Sequence, residues 1–304
     1  MEVDQVLWVV EDLEKTIQGW RELGFDQILN LGNVSAEFPS ENGTFIFQSA
    51  KANLGGANIT WIQSGKGKNI LTNFHKDYGD GAMSLVHELP GNEELADEIE
   101  RLSSKGVSVI EKFTIHTDKG PLIYVLMDTN EKGKYFLGYT YGNTDDELMK
   151  NLSDGNLHNM KINQYAFAIR QPEPVSGFWA SLGFPEFQIS HPELDNMHYY
   201  GQPTDHKLIQ GWQRHGTVAY EWCIPVKPPI VYEDHINTHG EGIHHLAFSV
   251  DDMDIVIDDY KIKGYVNSMG GTWGKKGQPG SGRYEYIDLE KTGGVTMELL
   301  WNYK

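Results

Sequence analysis

Cysteine is nearly absent: Cys223 is the single one in 304 residues. An internal disulfide is therefore excluded, and a reducing, cytoplasmic setting is the simpler expectation. Long apolar runs are missing too. None approaches the ~20 residues that cross a bilayer, so no membrane partner is expected. The opening stretch MEVDQVLWVVEDLEKT lacks the basic-then-apolar layout of a signal peptide and reads as a first strand and helix. Positive charge is scarce. Lys and Arg number 25 against 43 Asp and Glu, a formal charge of -18, which repels phosphate backbones and argues against nucleic acid as a partner.

What the chain does contain is a repeat at half its length. VDQVLWVVEDLEKTIQGWRELGF, from Val3, aligns without a gap on INQYAFAIRQPEPVSGFWASLGF, from Ile162. Gln5 falls on Gln164, Trp20 on Trp179, and Leu23-Gly24-Phe25 on Leu182-Gly183-Phe184. Each copy reads as an apolar strand, an amphipathic helix and a glycine at the helix end. A second strand-helix start opens midway through each half, at Gly81 (GAMSLVHELPGNEELADEIERLSSKGV) and at Gly242 (GIHHLAFSVDDMDIVIDDYKIKGY). In both, an acidic turn can cap the helix and Lys-Gly can stop it. Strand-like segments follow each helix. The chain thus divides into an N-terminal module over residues 1–142, a polar linker over 143–160 and a C-terminal module over 161–304.

This layout, with HGEGIHHLAFSVDDM and YEYIDLEKTGGVTMELL as its most specific pieces, resembles the vicinal oxygen chelate superfamily: glyoxalase I, methylmalonyl-CoA epimerase, extradiol dioxygenases and bleomycin-resistance proteins. The resemblance implies an α+β fold of four βαβββ units paired as two modules, each a curved mixed sheet with helices on its outer face. It also implies one divalent metal ion in the hollow of a module, a small-molecule substrate, and a monomer or homodimer. The positions matching the family's ligand places are Gln164, Glu221, His245 and Glu298, with Glu298 or Glu221 as general base.

Strand alternation tests that set separately, because residues two apart share a face. Gln164 shares its face with Ala166 and Ala168, Glu221 with Ala219 and Cys223, and His245 with Ala247 and Ser249. The opposite faces carry Tyr165, Phe167, Tyr220, Trp222, Leu246 and Phe248. Small residues around the candidates leave room for a ligand, while the bulky faces suit helix packing. Glu298 is less regular, sharing its face with Thr296 and Leu300. By the same alternation His244 should face the helices as a neutral, hydrogen-bonded imidazole. Two carboxylates, one imidazole and one amide oxygen suit Zn, Ni, Co or Mn, with Fe(II) in the dioxygenase alternative.

In the first half Gln5 survives, but Glu221 corresponds to Thr60, His245 to Ser84, and Glu298 to Leu137, or to Gly138 if the alignment slips by one. His87 falls on the wrong strand face to substitute. The first module is therefore expected to be metal-free, and the site to form within the second.

Three functions follow. The leading one is a metal-dependent isomerase, lyase or epimerase of glyoxalase type, moving a proton next to a carbonyl. The second is an extradiol-type ring-cleaving dioxygenase, with His191, His198, Tyr199, Tyr284 and Tyr286 as candidate partners of the metal. The third is a non-catalytic small-molecule binder. Glutathione or CoA would want cations at the pocket mouth, for which Arg170, Lys207, Arg214 and Arg283 are available, although surface solvation is their default. The Gly-rich GGTWGKKGQPGSGR from Gly270 lacks P-loop spacing and reads as a loop over the mouth. His235 and His239 are four apart on a short helix introduced by Pro228-Pro229, a spacing that can chelate metal, with exposed, solvated histidines as the default.

Overall fold

Strand β1 (Gln5–Val10) leads into α1 (Leu13–Glu22), β2 (Ile28–Phe38), β3 (Gly43–Leu54) and β4 (Ala57–Gln63). After α2 (Ile70–Tyr78), the pattern repeats as β5 (Gly81–Glu88), α3 (Asn92–Ser103), β6 (Val109–Thr117), β7 (Gly120–Met127), the single turn α4 (Asn130–Gly133) and β8 (Phe136–Gly142). The second half runs β9 (Lys161–Ala168), α5 (Pro172–Ser181), β10 (Gln188–Ser190), β11 (Leu194–Tyr199), β12 (Gln202–Pro203), β13 (Lys207–Gln213) and β14 (Ala219–Lys227). It closes with α6 (Val231–His239), β15 (Gly242–Ser249), α7 (Met253–Ile262), β16 (Val266–Trp273), β17 (Gly282–Asp288) and β18 (Thr296–Asn302). This computed structural model describes residues 2–39, 43–65, 67–117, 120–142, 152–214 and 216–303. Half of the expected linker, residues 143–151, lies outside them.

The fold is α+β, four βαβββ units in two modules, with an extra β11–β12 hairpin in the third unit. The repeat is visible in local detail. α1 and α5 are each followed by a glycine in the left-handed region, Gly24 at φ +95° and Gly183 at φ +94°, where a side chain would be strained. Asp12 caps α1 and Asp252 caps α7 by accepting backbone N–H bonds. The expected acidic cap of α3 is absent: its N-cap is Gly91, with no side-chain bond, because Glu93 and Glu94 fall inside the first turn. Pro228-Pro229 likewise precedes α6, whose N-cap is Ile230.

Each module pairs its own two units. The first is a closed barrel in the order β1-β4-β3-β2-β6-β7-β8-β5. The second is a ten-stranded sheet, β10-β13-β14-β9-β15-β18-β17-β16-β11-β12. In the barrel, β2 and β6 close the seam through Ser35↔His116, Ala36↔Ile115 and Glu37↔Thr114. Their counterparts β10 and β16 do not pair; β16 takes β11 instead. β10 and β11 nonetheless stand near opposite ends of that sheet with residues 191–193 between them. So short a span reaches about 14 Å at most, so the sheet must curl until its ends nearly meet.

The bulky strand faces all turn toward one shared core. Tyr165, Phe167, Tyr220, Trp222, Leu246 and Phe248 are buried there with Trp8, Trp20, Trp61 and Trp179. Phe25 meets Phe248 at 5.5 Å, and Tyr135 stacks on Trp179 at 4.6 Å. These contacts tie the modules together. They leave the opposite, small-residue faces of the second sheet to line its hollow.

Candidate metal centre

Four adjacent strands deliver the four sequence-predicted residues. Ala219 is opposite Gln164 and Glu221 opposite Ala166 in the β14–β9 pair, while His245 also faces Ala166 in the β15–β9 pair. Glu298 is reached through the parallel β15–β18 pair, opposite Ala247. Ala166 and Ala247 thus occupy the middle of the group, and their methyls leave it open. All four side chains are buried.

His245 Nε2 lies 3.2 Å from Glu298 Oε2 and 3.6 Å from Glu221 Oε2. One end of the Gln164 amide is directed at the same atoms, 3.0 Å from Glu298 Oε2 and 3.1 Å from Glu221 Oε2. With its nitrogen at that end the amide donates to both carboxylates; with a cation among the oxygens, its oxygen would take that place. The spacing fits a cation. Metal bonds of about 2.1 Å at right angles separate neighbouring donors by about 3.0 Å. Charge fits as well: a divalent ion neutralises two carboxylates that would otherwise be costly to bury.

The electrostatics of the cluster are strongly displaced. Burial would depress the His245 imidazole, but the hydrogen bonds and charges of Glu221 and Glu298 override it and raise its pKa to about 9. Burial raises the Glu298 carboxyl, against the opposing pull of His245. The Cys223 thiol is pushed well up by burial and by the same two carboxylates.

Several groups at this site escaped the sequence reading. Cys223, with Glu221 and His245, forms a set whose ligand atoms all lie within 4.8 Å of one another. Its i+2 spacing from Glu221 signalled the shared face, but a lone cysteine gave no reason to assign it to the site. Gln210 Nε2 donates to Glu221 Oε1 at 2.6 Å and fixes that carboxylate. The Tyr286 hydroxyl interacts with Glu298 and lies 2.6 Å from that of Tyr232. Tyr286 was among the tyrosine candidates, whereas no sequence spacing links the strand of Gln210 or the helix of Tyr232 to the site, so those two gave no signal.

His244 packs against helix α6, on Tyr232 and His235, but at a break in the strand's alternation. Strand register shifts between Ile243 and His245, a β-bulge that makes His244 an extra residue. Its Nδ1 lies 2.8 Å from His245 Nδ1. It is neutral, as expected, since burial and the nearby His235 and His245 press its pKa well down.

The centre forms one end of a cavity of about 440 Å³. Trp212, Trp273, Tyr284, Leu208 and Met269 supply much of its wall, and no Lys or Arg appears among the described lining residues. Arg170 bonds Glu233, Arg283 bonds Glu285 and Asp254, and Arg214 lies over the Trp212 ring; none of the three is among the residues lining the cavity. Lys207 does not line it either. Trp273 and Gly274 bring the start of the Gly-rich loop to the cavity, as the sequence suggested.

Of the other tyrosine and histidine candidates, Tyr284 and Tyr286 line the cavity. His198 instead bonds Glu285, Tyr199 bonds Asp234, and His191 is exposed. His206 was not foreseen; its Nε2 lies 3.2 Å from the Tyr284 hydroxyl. His239 is not solvated but held between the Tyr78 carbonyl and Glu290, and His235 packs on His244.

The first module repeats the geometry without the chemistry. Thr60 is opposite Leu7, Ser84 opposite Leu7, and Gly138 opposite Val86, matching Glu221, His245 and Glu298 in turn. Gly138, not Leu137, is therefore the counterpart of Glu298. Thr60 and Tyr124 both donate to the Gln5 side-chain oxygen, which closes that group on itself.

A family model described as the Glyoxalase/Bleomycin resistance protein/Dioxygenase superfamily matches residues 163–283. No curated protein matches the sequence. Among solved structures, a mutant of 4-hydroxymandelate synthase from Streptomyces coelicolor is similar at TM-score 0.61 and 13% identity, over 100% of this chain and 93% of that one. A catechol 2,3-dioxygenase is similar at TM-score 0.51 and 12% identity, over 100% and 88%. A xylose isomerase-like TIM barrel/4-hydroxyphenylpyruvate dioxygenase fusion protein is similar at TM-score 0.52 and 13% identity, over 99% of this chain and 49% of that one. At such identities the likeness is one of fold. The superfamily's model thus matches the second module, and the two-module fold along the whole chain is the one these solved structures share.

Proposed function

We propose that the chain is a metal-dependent enzyme of glyoxalase or epimerase type, moving a proton next to a carbonyl of a small, uncharged substrate. The observation that carries this reading is the convergence of Gln164, Glu221, His245 and Glu298 at the end of a cavity. These four would hold the ion. Bound there, a divalent metal contributes Lewis-acid polarisation of substrate oxygens. Zn, Ni, Co and Mn all accept such a mixed nitrogen and oxygen set.

The two glutamates divide the work. Gln210 pins Glu221 in one orientation, which suits a ligand. Glu298 has its carboxyl raised by burial, and a carboxylate of raised proton affinity suits a general base. Buried tyrosines beside it stay protonated, since burial raises Tyr286 and Tyr232 well above the usual phenol range. Apolar walls exclude water from the carbon that loses its proton. The lack of lining cations disfavours glutathione and CoA as recognised handles. A cytoplasmic setting keeps Cys223 reduced beside the site.

The test is deuterium exchange. Metal-loaded protein is incubated in D₂O with uncharged α-hydroxy ketones and aldehydes, and loss of the α-proton is followed by NMR. Exchange should occur with the wild type and fall at least about a hundredfold in Glu298→Gln. A panel without exchange would refute the reading.

One observation favours a second reading, the ring-cleaving dioxygenase. Tyr284 lines the cavity and is bonded to His206, whose pKa is lowered by burial to about 4, so a neutral imidazole stands one hydroxyl from the cavity. Oxygen uptake with catechols after Fe(II) loading would bear out this alternative.

A further inference from the structure

Two consecutive residues of a strand meet each other only where the pleat is broken, and β15 is broken there. The imidazoles of His244 and His245 stand nearly perpendicular, at 86°, with their Nδ1 atoms 2.8 Å apart. That separation accommodates one proton. The other end of His245 decides which ring owns it. His245 Nε2 is aimed at Glu298 and Glu221, and for its lone pair to face a cation the ring proton must sit on Nδ1. His244 then has to accept through Nδ1 and keep its own proton on Nε2. Its ring is buried and fixed for that purpose by Tyr232 at 5.2 Å and His235 at 4.9 Å, both near-perpendicular.

We infer that His244 is a positioning residue of the centre: by accepting the His245 Nδ1 hydrogen, it locks the tautomer and ring orientation that turn Nε2 toward the two glutamates. Partners of this kind are usually carboxylates or backbone carbonyls. Here the bulge lets the preceding residue take that place.

The first module provides an independent comparison. β5 carries the same irregularity, with Ser84 opposite Leu7 and Ala82 opposite Trp8, which leaves Met83 as the extra residue. Met83 and Ser84 thus occupy the places of His244 and His245. Met83 packs into an apolar cluster. The bulge therefore forms without any imidazole, and the fold does not call for His244. The accepting nitrogen occurs where the ligand nitrogen occurs.

This inference rests on the metal reading above, and its test separates the two. Zn²⁺ and Co²⁺ affinities are measured by chelator competition for wild type, His244→Phe and His244→Asn, with ¹⁵N NMR of His245 in the Zn²⁺-loaded wild type. The expected spectrum shows His245 bound through Nε2 with its Nδ1 proton retained. His244→Phe keeps a ring but no acceptor and should weaken metal binding about ten- to a hundredfold. His244→Asn offers an amide oxygen near the lost nitrogen and should recover most of that loss. Binding by His244→Phe within about twofold of wild type, or a His245 Nδ1 without its proton, would overturn the inference. If His244→Phe does not fold, the wild-type spectrum still decides. A wild type that binds neither ion refutes the metal reading itself, which is a separate result.

Discussion

The two modules share a strand plan and differ in what fills the hollow. In the first, the seam is sealed by β2 and β6, and the barrel interior is packed with Leu7, Val9, Leu126 and Phe136. Phe38, Phe113 and Tyr124 stack through it at 5.0 and 4.9 Å. In the second, the seam strands part, β11 is inserted, and the hollow becomes a cavity of about 440 Å³ ending in four polar donors. A βαβββ pair is thus stable with either filling. The ionisable residues at the matched places, Glu221, His245 and Glu298, occur only where the interior is left open.

The harshest way to break that comparison is to give the first module a ligand it lacks. A Cβ at Gly138 would lie 2.5 Å from Ser84 Oγ and 2.8 Å from Val86 Cγ2. Gly138→Glu adds an unpaired buried carboxylate to that clash, at several kcal/mol, about the whole stability of a domain. The variant should be insoluble or unfolded, as checked by circular dichroism. Next, truncating the stack in Phe113→Ala should cost about 3–5 kcal/mol in urea unfolding. Trp212→Ala at the cavity wall should cost about 1 kcal/mol, because less packing is lost where space is already open. Equal losses would contradict the filled-versus-open contrast.

Metal should sharpen the same contrast. A divalent ion at a hundred times its Kd should add about 2.7 kcal/mol of stability to the wild type and none to His245→Ala, read as shifts in thermal unfolding. The smallest effect concerns the junction between modules. His239 binds Glu290 through Nε2 and the Tyr78 carbonyl through Nδ1, and these bonds, chiefly that to Glu290, raise its pKa above 6.5 despite partial burial. A raised folded-state pKa contributes stability that is complete below the unfolded value and is lost as pH rises through the folded one. His239→Gln should therefore be less stable by about 1 kcal/mol below pH ~6.5, and the gap should close in alkaline solution.

Much of this was legible because strand alternation is local. Ala166, Ala168 and Ala247 on one face, with Tyr165, Phe167, Leu246 and Phe248 on the other, mark which side holds a cavity before any tertiary contact is known. The aligned Gln5 and Gln164 placed one ligand strand in each half. What alternation cannot report is its own interruption, so the bulge that brings His244 Nδ1 against His245 Nδ1 was not foreseen. The same limit left Glu298 between two counterparts, since only the β5–β8 register selects Gly138. Gln210, Tyr232 and His206 depend on which elements become neighbours. The inserted β11 depends on β10 being only three residues long, a detail that periodicity does not fix.

The most direct measurement is the metal content of the purified, metal-loaded chain beside Gln5→Ala, His245→Ala and Glu298→Ala. The account predicts about one equivalent of divalent metal per chain, kept in Gln5→Ala and lost in the other two. Two equivalents, or a single one lost in Gln5→Ala and kept in His245→Ala, would contradict it.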